Sequence, residues 1–219
     1  MVTNNSNAID YKSEILRKSI HLFSLSIPIG YYFFSKELAL LVLVPLTIFS
    51  LFLDIGRYYS KSIGTFVNGL FGFMLREHEK DLKKKNLSGA TYVLLSAVAV
   101  IVLFPKIFVL TAFPILIISD ICAALYGRKF GKHKFLYKSL EGTLAFFVSA
   151  CIVVLFSPKI SDLPMEFVVG FIAAAVGALA ENLSYGWADD NFTIPLSVCG
   201  IMWLLYTLIL PGLNVYQLG

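Results

Sequence analysis

The sequence predicts an all-α fold: a polytopic membrane bundle of about seven transmembrane helices and one amphipathic interfacial helix, with the N-terminus cytoplasmic. Three observations predict it. The 219 residues are 58% hydrophobic and only 15% charged, where a soluble domain carries about 25% charged residues. Mean hydropathy is +0.78. The charges are also segregated, so that long uncharged blocks lie between clusters of ionisable residues.

A span needs roughly 20 mostly apolar residues, with about 17 at the lower end. Seven segments approach or meet that length, at 18–35, 38–55, 88–104, 107–126, 140–157, 164–184 and 192–210. The second and fifth read as short spans with little room to tilt. Tyr58–Leu75 is different: Ile63, Phe66, Val67, Leu70, Phe71 and Met74 recur at helical spacing among glycines and basic flanks. That pattern predicts a helix lying in the interface and not an eighth span. The polar start (1–16) carries no cleavage-site pattern, so no signal peptide is expected. With no internal repeat or low-complexity tract, the chain reads as one domain, 1–219.

Orientation follows from Lys and Arg, which favour cytoplasmic connections. Three lie near the N-terminus, seven in the second connection and five in the fourth, against only Lys36, Lys106 and Lys159 on the other side. The division is fifteen to three, and it places the C-terminus outside. The sixth connection, Tyr185–Asn191, is then cytoplasmic despite having no basic residue. Cys122, Cys151 and Cys199 lie in apolar segments without metal-ligand or disulfide spacing and read as packing residues.

In this topology the costly polar groups gather at one leaflet. An ionisable residue at membrane depth is a functional candidate by default. His21 enters the first helix, Asp54 ends the second, and Asp120 lies near the end of the fourth. Glu141 opens the fifth, Glu181 nears the end of the sixth, and Asp189, Asp190 and Asn191 fill the next turn. Between Asp120 and Glu141 stand Arg128, Lys129, Lys132, Lys134 and Lys138. This convergence suggests a phosphate-bearing ligand meeting a bilayer.

Asp120, Ala124 and Gly127 share one helical face, leaving room beside a carboxylate. Gly127 and Gly131 are expected to permit tight turns with exposed N–H groups that cradle phosphate oxygens. Lys132 and Lys138 offer point charges to those oxygens. Ser139 is placed to cap the fifth helix, whose N-terminus favours anions. Glu141 suits that dipole and equally suits Mg²⁺, which prefers hard oxygen ligands together with phosphates.

Bland readings stand beside these. The 128–138 loop and Lys83–Lys85 also serve topology and anionic lipid. Asp54 has a ready partner in Arg57, Glu181 in a neighbouring helix, and His21 reads equally as a headgroup-level histidine. Gly170, Ala174 and Ala178 read as a close-packing stripe.

The run D-x-x-A-x-x-x-G-x-x-x-G-K from Asp120 to Lys132, followed by K-S-x-E-G-T from Lys138 to Thr143, resembles the CTP-dependent lipid kinase family. Dolichol, phytol and CTP-dependent diacylglycerol kinases belong to that family. E-I-L-R-K-S-I-H-L (Glu14–Leu22) resembles its first-helix entry. A-L-A-E-N followed by D-D-N-F-T-I-P-L (Ala178–Leu196) resembles its late acidic signature. Phosphatidate cytidylyltransferases share a related layout, but their terminal His-Gly-Gly signature is absent. The large multi-span N-terminal region of eukaryotic dolichol kinases is absent too.

The resemblance implies CTP as phosphoryl donor, Mg²⁺ as cofactor and a membrane lipid alcohol as acceptor, either an isoprenoid (polyprenol, dolichol, phytol) or diacylglycerol. It implies catalytic roles for Asp120, Glu141, Asp54, Glu181 and His21, with Mg²⁺ on Asp120, Glu141 and Asp190. It implies nucleotide binding by Gly127, Gly131, Lys132, Lys138, Ser139, Gly142, Thr143 and Asn191, around a cytoplasmic loop at 127–139. The expected setting is a prokaryotic plasma membrane with the site facing the cytoplasm. A homodimer is admitted, and no nucleic-acid partner is expected. The alternative within the same chemistry is CDP-lipid synthesis from CTP and phosphatidate. The alternative from another class is a small transporter, which would need polar groups through the midplane and not only at one side.

Overall fold

The computed structural model describes residues 11–71, 86–184 and 189–217, and most of them are helical. Met74, Leu75, Lys83–Lys85 and Tyr185–Ala188 lie outside the described residues. The elements in order are α1 (Tyr11–Leu22), a 3₁₀ turn (Phe23–Leu25), α2 (Ser26–Phe33), α3 (Lys36–Tyr59), α4 (Lys61–Phe71) and α5 (Gly89–Leu103). There follow α6 (Lys106–Pro114), a π turn (Ile115–Ser119) and α7 (Asp120–Phe130). The chain then makes β1 (Lys134–Phe135) and β2 (Lys138–Ser139) before α8 (Leu140–Phe156), α9 (Pro164–Leu183) and α10 (Asp190–Ile209).

Four helices are long and apolar enough to cross a membrane: Lys36–Tyr59, Lys106–Phe130 taken as one continuous run, Pro164–Leu183 and Asp190–Ile209. Gly89–Leu103 and Leu140–Phe156 are shorter apolar helices. Two expectations change. The second segment is not short: α3 has 24 residues, roughly 36 Å at about 1.5 Å per residue. The first segment is not one helix, because the 3₁₀ turn divides it into 12-residue and 8-residue pieces.

The interfacial segment also begins later than its periodicity suggests. Tyr58 and Tyr59 complete α3, Ser60 is extended, and α4 starts at Lys61. The described part of α4 is 11 residues long. It buries Val67, turns Phe66 outward, and lies so close to α3 that a Cβ on Gly56 would meet Ile63 Cδ1 at 2.9 Å.

The core is built around the run through α6 and the π turn, where Phe108, Phe113, Ile115, Leu116 and Ile117 are fully buried. Helices α2, α8 and α10 pack against this run. Pro114 explains the π turn: proline lacks the N–H that would close an α-helical bond and crowds the carbonyl four residues back, so the next turn widens. The widening ends at Ser119 and Asp120, both turned inward and buried. By contrast α3 exposes Leu41, Ile48, Phe49 and Phe52 along its outer side, as a helix facing lipid tails does. The stripe on α9 is a packing stripe, as its spacing suggests. A Cβ on Gly170 would meet Val154 of α8 at 2.4 Å, and Ala174 and Ala178 are buried.

Helix starts follow local chemistry. Ser35, Ser88, Ser139 and Asp189 each accept a backbone N–H in the first turn of α3, α5, α8 and α10, satisfying donors the helix leaves open. The all-α expectation misses one feature, the two-residue antiparallel ladder pairing Lys134 with Ser139 and Phe135 with Lys138. Leu136 takes a left-handed conformation (φ 52°) to close it.

The glycines of the predicted phosphate loop work differently from their expected role. Gly127 lies inside α7, and the N–H of Gly131 donates to Gly127 O at 2.9 Å. Their small size serves helix contact. A Cβ on Gly127 would meet Ser139 Oγ at 3.0 Å and Gly142 Cα at 3.2 Å, and one on Gly142 would meet Ala123 O at 3.1 Å. Ala123 and Gly127, four apart, therefore form the face on which α8 rests. Gly127→Val is expected to destabilise the protein by about 1–3 kcal/mol through overpacking, read as a lowered Tm in detergent by tryptophan fluorescence.

Candidate active site

One end of the bundle collects polar groups from α1, α7, β2, α9 and α10. Asp120 is buried at the start of α7 and pairs with Lys18 Nζ from α1, itself only 4% exposed. His21, one turn after Lys18, places Nε2 3.8 Å from Asp120 Oδ2. Residues three apart on a helix share a face, so α1 presents a cation and an imidazole to the same carboxylate.

A second ion-pair group adjoins the first. Lys138 Nζ lies 2.5 Å from Glu181 Oε1 and 3.5 Å from Asp190 Oδ2. Burial alone would push the Lys138 ammonium down, but Asp190, Glu181 and Asp120 more than offset this and hold it above the usual lysine range. It is a standing cation at any physiological pH. Its side chain keeps 31% exposure, so it can reach a water-borne ligand. Asp190 and Lys138 are both within electrostatic reach of Asp120, which makes one continuous field of two ammonium groups among three carboxylates.

Asn182, next to Glu181, fixes the hairpin. Its Oδ1 accepts from Tyr137 N at 3.0 Å and Lys138 N at 3.4 Å, and its Nδ2 donates to Thr143 Oγ1 at 2.7 Å. The strand carrying Lys138 is thereby tied to α8 and α9 together. Asn191 is buried at the start of α10, its N–H and Nδ2 both donating to Asp189 Oδ1. Among the described residues, His21 Nε2, Ser119 Oγ and Glu181 Oε2 are buried without a hydrogen-bond partner, as are Nε and Nη1 of Arg57 beside Asp54. Unsatisfied buried polar atoms of this kind cost about 1–3 kcal/mol each, and those beside Asp120 and Lys138 are groups that a ligand can engage.

The expected site residues are distributed unevenly. Asp120, His21, Glu181, Lys138 and Asp190 come together. Ser139, Gly142 and Thr143 lie just beyond them in the first turn of α8, where Ser139 caps Gly142 N at 3.2 Å. Lys132 is exposed on the loop before β1.

Glu141 has local duties. Both its oxygens accept from His133 N, at 3.2 and 3.3 Å, and its Oε1 contacts His133 Nδ1 at 2.7 Å. It closes the 133–141 loop.

Asp54 forms a separate knot. Its Oδ2 accepts from Ser88 N, Ser88 Oγ and Thr91 Oγ1 at 2.6–2.8 Å, and Arg57 Nη2 lies 3.5 Å from Oδ1. Lys18 and Asn182 were not singled out as site residues from sequence. Lys18 enters the sequence reading through topology and as part of the Glu14–Leu22 motif, and its spacing to His21 carries the signal.

Among the described residues no group of three His, Cys, Asp or Glu side chains forms a ready metal cage. Mg²⁺ usually takes one or two protein carboxylates and completes its shell with water and phosphate oxygens. Asp120 and Asp190 supply hard oxygen donors of the right kind.

Comparison with known proteins adds three relatives. The uncharacterized protein RP860 of Rickettsia prowazekii is 34% identical over 196 residues, covering 87% of this chain and 93% of that protein. The chain belongs to its family. The uncharacterized protein MJ1137 of Methanocaldococcus jannaschii is 29% identical over 194 residues, covering 86% and 92%. CTP-dependent diacylglycerol kinase 1 of Schizosaccharomyces pombe is 27% identical over 165 residues, 69% of this chain and 74% of the kinase. That distant similarity supports the resemblance to lipid kinases. No protein-family model and no solved structure matches the chain.

Proposed function

We propose that the protein is a CTP-dependent kinase that phosphorylates a membrane lipid alcohol at the cytoplasmic leaflet. The observation that carries the reading is the buried Lys18–Asp120 pair beside the Lys138–Glu181–Asp190 group. The distant similarity to a diacylglycerol kinase and the motif resemblance support the same chemistry. The choice of CTP rests on that resemblance.

Phosphoryl transfer requires mainly positioning and charge neutralisation. In this reading the nucleotide phosphates enter beside Lys138, with Lys132 on the exposed loop as a second cation. The loop holding both is fixed from two sides, by Asn182 and by Glu141. Asp120 and Asp190 would hold Mg²⁺, which supplies neutralisation of phosphate charge when bound. His21 Nε2, buried and unpartnered, takes the proton of the acceptor hydroxyl, a task suited to an imidazole near neutral pH. The hydroxyl oxygen bonds to the γ-phosphorus, the bond from that phosphorus to the β–γ bridging oxygen breaks, and CDP leaves. Lys18 pairs with Asp120 and holds it in place.

Purified protein in liposomes containing lipid alcohols is expected to convert CTP to CDP, in step with lipid phosphate. Release of pyrophosphate with phosphatidate present, and no CDP, would instead assign CDP-lipid synthesis.

A further inference from the structure

Beside the ion pairs lies a cavity of about 330 Å³ that the nucleotide chemistry does not use. Lys18, His21, Asp120 and Asn191 form one end of it, and α3, α4 and α5 form the rest. Its walls there are mostly apolar, with Leu46, Phe49, Leu53, Val93 and Leu94 among them and Val67 of α4 closing one side, while Ser50, Asp54 and Ser88 are the polar residues of that part. The exposed sides of Leu46 (48%) and Phe49 (59%) belong to the outer apolar face of α3. The cavity therefore borders the surface that meets lipid tails, and its polar end meets the buried Asp120.

We infer that this cavity is the acceptor subsite and that it selects a single-chain, prenol-type alcohol. The inference rests on the lipid-kinase reading. The hydroxyl goes to the polar end, within the reach of His21 and Asn191, and the first stretch of the chain lies between α3 and α5 before passing out over Leu46 and Phe49. The volume sits at the bottom of the ~300–1,000 Å³ range of small-molecule pockets. It takes one chain near its hydroxyl; a glyceride brings two chains that diverge beside the carbinol carbon. Asp54 then acts as a positioning residue: its bonds to Ser88 and Thr91 pin the start of α5 against α3 and set the width of the slot.

The test is photo-crosslinking of the full chain in nanodiscs, without nucleotide, using a single-chain isoprenoid alcohol that carries a diazirine near its hydroxyl. Adducts are expected between residues 46 and 54 and between residues 89 and 94. Excess unlabelled prenol should suppress them, and excess diacylglycerol should not. Ala90→Phe, which fills the slot, is expected to cut labelling and raise the KM for the alcohol at least about tenfold, with the KM for CTP unchanged. Adducts spread over the outer face of α3 alone would overturn the subsite, and equal competition by diacylglycerol would overturn its selectivity. Phosphoryl transfer from CTP with adducts elsewhere rejects the subsite and leaves the kinase reading standing. The expected adducts without transfer from any nucleotide reject the kinase reading and keep the cavity as a lipid site.

Discussion

Asp120→Asn is expected to lower kcat by at least ~10²–10³-fold, the scale on which a preorganised charge at a reacting centre acts. The substitution keeps the size of the side chain and leaves an amide oxygen for Lys18, so the helix contact survives. What it removes is the negative charge that Lys18 and His21 face and that Mg²⁺ would use. Elution as a single peak in size exclusion, together with a Tm near that of the parent protein, separates loss of chemistry from loss of fold. Asp120→Glu provides a second reading: it restores the charge one methylene away and is expected to remain at least about tenfold impaired. Parent-like turnover in Asp120→Asn would remove Asp120 from the reaction.

The second large effect is expected at Lys138. Lys138→Met removes the cation that pairs with both Glu181 and Asp190, leaving two buried carboxylates near each other. The loss in stability is about 2 kcal/mol, the scale of a hydrogen bond to a charged group, discounted because the ammonium keeps some solvent. The effect on nucleotide use is larger: KM for CTP is expected to rise more than tenfold while KM for the lipid alcohol stays within about twofold. That split distinguishes a phosphate contact from a general structural role, which would move both constants together. Lys138→Arg should restore part of the CTP affinity. Steady-state kinetics with each substrate varied in turn gives the answer.

Much of the fold was legible because bilayer insertion imposes its pattern on the sequence. Apolar runs located the four helices long enough to cross a membrane and the two shorter apolar ones, and the Ser139 cap and the α9 packing stripe followed from local rules. The length of α3 was misjudged because its last turn carries Asp54 and Arg57, which pair with each other and with Ser88, Thr91 and Asn86 and so stay helical although polar. The break after Leu22 left no proline or glycine signal between Leu22 and Ser26. The glycines around Gly127 were read as turn formers because sequence spacing cannot tell a backbone that must bend from one that must be approached closely. The contact with Gly142 decides for the latter.

The candidate site was legible through charge. Carboxylates at the ends of apolar segments stood out as costly, and three of them, Asp120, Glu181 and Asp190, together with His21, meet or adjoin one another. Lys18 did not stand out, since a lysine near the start of a membrane helix has an ordinary topological explanation. Only the fold brings it across 102 positions of sequence to Asp120. Asn182 was hidden in the same way, as its work is to hold the hairpin backbone 44 and 45 residues away, a task that no local pattern announces. Glu141 matched a motif, yet its nearest partner is His133, reached through a two-residue ladder that sequence patterns did not predict.

The central claim is that the γ-phosphoryl group of CTP ends on a lipid hydroxyl. It is tested most directly by incubating the purified protein, Mg²⁺ and a single-chain prenol in liposomes with CTP labelled at either the γ- or the α-phosphorus. The γ-label is expected to enter the solvent-extracted lipid, the α-label to stay in the aqueous phase as CDP, and Asp120→Asn to abolish the transfer. Lipid carrying the α-label, or no lipid label with any alcohol, would contradict it.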